Sequence, residues 1–271
     1  MTSIVHFIVT RFNVRDKISD SKALESSWLD RRFELFEKFC FPTVRSQSEQ
    51  NFKWLVLFDS DTPELAKERI KTYCEWGNFV SLFVPAGSEG AARKAVVENL
   101  AVIPDILVTT RLDNDDGICR TFVESIQERA RVPRTSVLDF PSGYVWHRNR
   151  VYQYHFPFNP FATLAELSRG EGSANFKTVY TGSHSDLGRL GEVIEVSRKP
   201  SWLQVIHGGN LENTARGVRV RKSSLSGEFA INEELIAEED GRMKFFLDRV
   251  YTGSVTGVRS SGMKFIKMLR R

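Results

Sequence analysis

Four apolar, β-rich runs alternate with helical patterns along the first 111 residues, and that alternation restricts the architectures open to this chain. Ile4–Thr10, Lys53–Phe58, Phe79–Val84 and Asp105–Arg111 have the bulk and branching of buried strands. Between them, Trp28–Phe41 sets Trp28, Phe33, Phe36, Phe39 and Cys40 at helical spacing, with Arg31, Arg32, Glu34, Glu37 and Lys38 on the polar side. A second helix is expected from Thr62, as cap, and Pro63, in the first turn, to Cys74, and a third over Gly90–Leu100. The order β-α-β-α-β-α-β builds an α/β, Rossmann-type, mostly parallel sheet with helices on both faces. In such sheets ligands bind at the carboxyl ends of the strands.

The polar residues fall at those ends: Thr10 and Arg11 after the first run, Asp59 and Asp61 after the second, Asp113-Asn114-Asp115-Asp116-Gly117 after the fourth. Carboxylates this close repel one another unless a cation lies between them. Hard oxygen donors suit Mg²⁺ or Mn²⁺, and those ions suit phosphate, so a nucleotide-handling enzyme is the first expectation. The competing reading of the acidic run is a capped loop with solvated acids, and for Asp59 and Asp61 it is helix capping before Pro63.

The second half is mixed. A helix is expected at Thr121–Ala130, then short strands at Ser136–Phe140, Gly143–Trp146 and Val151–Phe156. A short helix at Phe161–Leu167 follows, then β runs at Lys177–Tyr180, Val193–Val196 and Trp202–Ile206, and helices at Asn232–Glu238 and Arg242–Val250. No linker interrupts the pattern, so residues 1–271 read as one domain in which the second half, 119–271, decorates the first, 1–118. The net charge of +4 comes from 38 basic and 34 acidic residues and includes no long basic run, which argues against a nucleic-acid partner. Cys40, Cys74 and Cys119 form no CxxC pair; Cys40 and Cys74 read as small core residues. Met1–Val9 lacks a basic start and reads as a strand, and no apolar run reaches the ~18 residues of a membrane span, so a cytoplasmic location is expected.

Four segments carry a family resemblance: Thr10-Arg11-Phe12-Asn13, Phe52 to Asp59, Thr110 to Asp116, and Trp202-Leu203-Gln204-Val205-Ile206-His207-Gly208-Gly209-Asn210. On these the chain resembles bacterial rhamnosyltransferases, glycosyltransferases of GT-A fold. The resemblance implies a nucleoside-diphosphate-sugar donor of UDP or dTDP type, bound by the nucleotide-sugar-binding half at 1–118, and a glycan or lipid-linked glycan acceptor, bound by the acceptor-binding half at 119–271. It implies Mn²⁺ or Mg²⁺ held by Asp113, Asp115 or Asp116, with His207 as a further ligand. His207 otherwise reads as a hydrogen-bonded loop histidine. Thr10, Arg11, Asp59, Asp61, Arg111 and Asp113 would face the donor, and Gly208, Gly209 and Asn210 a sugar. Gly90-Ala91-Ala92-Arg93-Lys94 is similar to the Gly-x-x-Arg-Asn step of large glycosyltransferase families, with Lys94 in place of Asn, and so adds Arg93 to the donor side.

An inverting reaction needs a carboxylate to deprotonate the acceptor hydroxyl, and Asp186 and Asp139 are the candidates. Three rival readings exist. Asp59-Ser60-Asp61-Thr62 is similar to the paired aspartates of haloacid-dehalogenase phosphohydrolases, though Pro63 stands where Thr or Val is wanted. Glu124, twelfth from Asp113, imitates a calcium loop, but the glycine is misplaced. The third is a non-catalytic glycan-binding domain. The tail Met263–Arg271 is basic and amphipathic; it reads either as a terminal helix packed on the core or as a peripheral contact with the inner face of a membrane.

Overall fold

The computed structural model describes residues 2–17, 19–131, 134–168, 175–182, 184–208, 216–237 and 241–269, the side chains of 184, 185 and 256–269 excepted. The four apolar runs become β1 (Ile4–Arg11), β2 (Lys53–Asp59), β3 (Phe79–Val84) and β4 (Ile106–Arg111). They are mutually parallel: β1 pairs with both β2 and β4, and β3 pairs with the far side of β2. Successive side chains of a strand point to opposite faces, and two cores result. Ile8, Trp54, Val56 and Val108 pack with the apolar stripes of α1 (Ser26–Leu35) and α3 (Glu64–Cys74). Phe7, Val9, Leu55, Leu57 and Leu107 pack with Ala92, Ala95 and Val96 of α4 (Ala91–Glu98).

The first helix departs from expectation. It runs as α1, then a π-turn over Phe36–Cys40, then α2 (Phe41–Arg45). Pro42 has no N–H to donate back along the helix, and the Thr43 hydroxyl reaches the carbonyls of Phe39 and Cys40 at 2.9 and 2.8 Å. At α3, Pro63 itself is the cap position, while the Thr62 hydroxyl donates to the Asp59 carbonyl at 2.6 Å. Cys74 is exposed, on the outer side of α3, and only Cys40 and Cys119 are buried.

After the acidic loop come β5 (Gly117–Ile118), α5 (Phe122–Ala130), β6 (Ser136–Asp139), β7 (Ser142–His147), β8 (Arg150–His155) and β9 (Thr163–Leu167). β10 (Glu192–Glu195), β11 (Trp202–Ile206), β12 (Val218–Val220), α6 (Glu233–Ile236) and α7 (Arg242–Leu269) complete the chain. The large sheet has the order β10-β6-β9-β4-β1-β2-β3, with β9 antiparallel to both neighbours. A second sheet, β12-β8-β7-β11-β5, stands against the carboxyl end of the first. Its β7–β8 hairpin turns through Arg148 and Asn149, both at positive φ, as a tight two-residue turn requires.

Two expectations for the second half fail. Phe161–Leu167 has the composition of a helix, but it is inserted between β4 and β6, and its residues from Thr163 to Glu166 are buried on both faces. Strand pairing there outweighs a propensity worth only tenths of a kcal/mol per residue. Lys177–Tyr180 is a turn rather than a strand: the Glu166 carboxylate accepts the backbone N–H of Lys177 and of Thr178 at 2.8 Å each, and Thr178 takes φ 64°. α7 continues to Leu269, well beyond the expected Val250. No helix among the described residues is long and apolar enough to cross a membrane.

The junction of the sheets depends on a flat contact. The fully buried Trp202 indole donates to the Phe140 carbonyl at 2.7 Å and stacks on Phe161 with centroids 5.1 Å apart. Gly143 lies under it, and a Cβ there would meet the ring at 2.0 Å. Gly143→Ala should therefore lower unfolding stability by about 1–3 kcal/mol through overpacking, read as a reduced denaturation midpoint in urea; an unchanged midpoint would refute this packing account.

Candidate functional site

The carboxyl ends of β1, β2 and β4 lie side by side, and three groups of side chains gather there. At the end of β2, Asp59 is fully buried. Arg15, from the loop after β1, meets it in a two-pronged contact, Nε to Oδ2 at 2.9 Å and a terminal nitrogen to Oδ1 at 3.0 Å, and also reaches Asp61. Burial alone would raise the Asp59 carboxyl; the Arg15 hydrogen bond and charge, with the Asp61 N–H, outweigh it and hold the group below the usual carboxylate range. Asn13 ties the same loop down, accepting the Asp59 N–H at 3.2 Å and donating to Thr62 at 3.0 Å. Asp59 is thus a structural counter-ion, and Asp61, whose side chain is 66% exposed, is the member of the pair that faces outward.

Thr10, expected in the pocket, is fully buried on the α1 face and accepts the Trp54 indole N–H at 2.9 Å. Arg11 does point outward and pairs with Asp16. Arg93 on α4 donates to the Phe176 carbonyl at 2.8 Å, which ties α4 to the segment preceding Tyr180.

The acidic loop leaves β4 with its four polar side chains in four different roles. Asn114 is inward, donating to the Phe12 carbonyl at 2.6 Å and accepting from Arg32 at 3.1 Å. Asp116 is buried and accepts the Val205 N–H at 2.8 Å, so it fastens the loop to β11. Asp115 receives Arg32 at 2.9 Å and the His207 Nε2 at 2.8 Å on the same oxygen. Asp113 keeps its side chain about half exposed, 3.5 Å from Arg111. Arg111 in turn lies over the Tyr180 ring, and its Nε is buried with no hydrogen-bond partner among the described residues.

The like charges show in the acid strengths. Burial first, then Asp115 and Asp113, push the Asp116 carboxyl well above its ordinary value; burial and Asp115 also raise Asp113, against the pull of Arg111. The thiol of Cys40, whose sulfur contacts the Asp113 carbonyl at 3.6 Å, is raised by burial and by all three acids, which makes it inert.

The register explains how His207 arrives. β5 follows the acidic loop directly and pairs antiparallel with β11, Gly117 opposite Leu203 and Ile118 opposite Trp202. The residue just beyond β11 is therefore carried back alongside the acids. Gly117 permits this closeness, since a Cβ there would lie 3.1 Å from the Phe39 carbonyl. Arg15, Asn13, Arg32 and Asn114 were not singled out from sequence. Nothing local in the sequence marks Arg15, and Arg32 looked like an ordinary solvated residue of α1.

Asp115 and His207 are the donors that fit a divalent ion. Their 2.8 Å separation is close to the ~3 Å edge between adjacent ligands of an octahedron with ~2.1 Å bonds. Among the described residues no cluster of three or more His, Cys, Asp or Glu side chains encloses a metal. The pair is a half-site, of the kind Mg²⁺ occupies when substrate phosphates and water complete its shell. Gly208 is exposed, with open space where a Cβ would be, whereas Gly209 and Asn210 lie outside the described residues.

Asp139 ends β6, which runs in the same direction as β4. Leu138 and Thr110 both pair with Thr163, so Asp139 is level with Arg111, two strands or about 10 Å across the sheet. It accepts the Phe158 N–H at 3.2 Å, and burial raises its carboxyl. Asp186, on the 3-10 turn His184–Arg189, is exposed and pairs with Arg189 at 3.8 Å.

Two stability predictions follow from these charges. Arg15→Met should lower the thermal midpoint by more than the double change Arg15→Met/Asp59→Asn, because only the single variant strands a buried carboxylate; equal losses would contradict the pairing. Asp116→Asn can keep the Val205 hydrogen bond while removing a like charge. A carboxyl raised in the folded state binds protons more readily there, so wild type loses stability as pH rises through that value. The variant should melt higher at pH 7, with the gain shrinking on acidification; a lower midpoint at pH 7 would contradict it.

Comparison with solved structures returns distant matches. The crystal structure of S. aureus TarS 1-349 is 10% identical, with 74% of this chain and 60% of that one covered and a TM-score of 0.43. Mannosyltransferase PcManGT from Pyrobaculum calidifontis, in complex with GDP-Man and Mn²⁺, is 10% identical, with 78% and 59% covered and a TM-score of 0.47. The chain spans about three fifths of the length of either. No curated protein matches the sequence. The family described as "Putative rhamnosyl transferase" matches residues 16–219, a stretch that holds both the acidic loop and His207. The chain belongs to this rhamnosyl transferase family.

Proposed function

We propose that this protein is a metal-dependent glycosyltransferase that moves a sugar, rhamnose by the family's description, from a UDP- or dTDP-linked donor to a glycan or lipid-linked glycan acceptor. The observation that carries the reading is the Asp115–His207 contact at the mouth of β4, which brings a carboxylate oxygen and an imidazole nitrogen from distant parts of the chain to 2.8 Å of one another. Mn²⁺ or Mg²⁺ held there would serve as a Lewis acid for the leaving diphosphate. Arg111, whose buried Nε has no hydrogen-bond partner among the described residues, would offer a fork of donors to phosphate oxygens. Asp113, half exposed beside it, faces the same opening. Arg32 holds Asp115 in place, and metal entry would displace the proton that the His207 Nε2 shares with the Asp115 oxygen. Arg11 and Asp61, exposed at the ends of β1 and β2, would be the contacts to the nucleoside.

For an inverting reaction, Asp139 is better situated than Asp186 to act as the base. It lies on the same sheet edge as Arg111, and its raised carboxyl is a stronger proton acceptor than an ordinary aspartate. The phosphohydrolase reading fares worse: its nucleophile would be Asp59, which is fully buried and engaged by Arg15.

Calorimetric titration with UDP, dTDP and GDP, with and without Mn²⁺, is the test. Binding of at least one nucleotide should strengthen with Mn²⁺, and Asp113→Ala and Asp115→Ala should each abolish that gain and reduce turnover by roughly a hundredfold or more with the fold intact. Metal-independent binding in all cases, or full activity in both variants, would overturn the proposal; no nucleotide binding at all would favour a glycan-binding domain. Asp139→Asn should lower kcat while leaving nucleotide affinity unchanged, and an equal effect from Asp186→Asn alone would transfer the base to that residue.

A further inference from the structure

Over its first three turns the outer face of α7 is apolar and exposed. Phe245, Asp248 and Thr252 point inward: Phe245 is buried, Asp248 pairs with Arg150 at 3.1 Å and Arg219 at 3.6 Å, and the Thr252 hydroxyl accepts the Arg219 N–H at 3.0 Å. Met243, Phe246, Leu247, Val250 and Tyr251 recur at i, i+3, i+4, i+7 and i+8 on the opposite side, each between 52% and 71% exposed. A soluble helix ordinarily turns such a stripe toward its core and its charges toward water. Here the helix is docked by its narrower polar and aromatic side, and the apolar stripe faces out.

The charges beside the stripe identify what covers it. Arg242, Lys244 and Arg249 are exposed; at 100° per residue, Arg242 and Arg249 fall on one flank of the stripe and Lys244 on the other. Over residues 242–271 the sequence holds eight Lys or Arg against one acid, Asp248, and Asp248 is already engaged on the inner side. A second copy of α7 would bring like charge against like charge, so self-association through this face is disfavoured. An apolar stripe edged by cations matches the interface of an anionic bilayer, where side chains enter the acyl boundary and basic residues meet headgroup phosphates. The sequence repeats the pattern further along, with Val258 seven residues after Tyr251 and Phe265 seven after that. With 28 residues, α7 is about 42 Å long, yet it does not qualify as a span, so its place is along the surface.

We propose that α7 is a membrane-surface helix that docks the protein on anionic lipid through Met243, Phe246, Leu247, Val250 and Tyr251. The inference rests on α7 alone and stands whether or not the donor reading holds. Its test is co-sedimentation of the full chain with vesicles of phosphatidylcholine, and of equal parts phosphatidylcholine and phosphatidylglycerol, at low and high salt. Wild type should bind the anionic vesicles and leave the neutral ones, and high salt should weaken binding. Phe246→Ser/Leu247→Ser should reduce it about tenfold or more with circular dichroism and nucleotide binding unchanged, and Arg242→Gln/Lys244→Gln/Arg249→Gln should remove the preference for anionic lipid. Absence of vesicle binding by wild type, or undiminished binding by the serine variant, would overturn the proposal. So would a wild-type dimer by light scattering that the serine variant converts to monomer without any vesicle binding, since the face would then be a subunit interface.

Discussion

The short antiparallel pairing of β5 with β11 is the constraint on which the site depends. It is only two residues long on the β5 side, Gly117 and Ile118, and it is reinforced by the Asp116 carboxylate on the Val205 N–H. Without it, the acids after β4 would lie at the edge of the large sheet, and His207, some ninety residues later, would have no reason to meet them. With it, the second sheet closes over the carboxyl end of the first. The packing around it has little tolerance: Trp202 lies on Gly143 on one side, and Gly117 abuts the Phe39 carbonyl on the other.

Charge is handled by division of labour. Three acids in four residues would repel one another if all faced the same space. Instead Asp116 is turned into the interior and bonded to backbone, Asp115 is held between Arg32 and His207, and Asp113 looks outward beside Arg111. Burial first, and then the repulsion that remains, raises Asp116 and Asp113. At the neighbouring strand end, Arg15 neutralises Asp59 internally and so makes a rigid floor.

What the sequence discloses and what it hides follow from the range of the interactions. β1, β2 and β4 are readable because strands buried on both faces must be apolar along their whole length; β3, the partly exposed edge strand, is readable from its apolar, β-rich composition, and the Trp202–Ile206 strand appears at its expected bounds. β9 is hidden because its pairing with β4 and β6 is non-local, while its composition is locally helical. Asp113, Asp115 and Asp116 could be proposed from the chemistry of clustered acids, and His207 from the family resemblance. Arg15 and Arg32 could not, since their partners lie 44 and 83 residues away and nothing local marks them. Thr10 shows the converse: a polar residue in a promising motif, turned inward by strand alternation to bond Trp54. The exposed stripe of α7 is likewise invisible until the docked side of the helix is known, because the same periodicity describes a helix packed either way.

The central claim is that Asp115 and His207 together receive a divalent ion beneath a donor diphosphate. Anomalous diffraction at the manganese edge, from crystals grown with UDP or dTDP and Mn²⁺, addresses it directly. The account predicts one strong peak at bonding distance, about 2.1–2.3 Å, from an Asp115 oxygen and the His207 Nε2, adjacent to the nucleotide phosphates. Bound nucleotide with no peak there, or a peak at Asp59 and Asp61 instead, would contradict it.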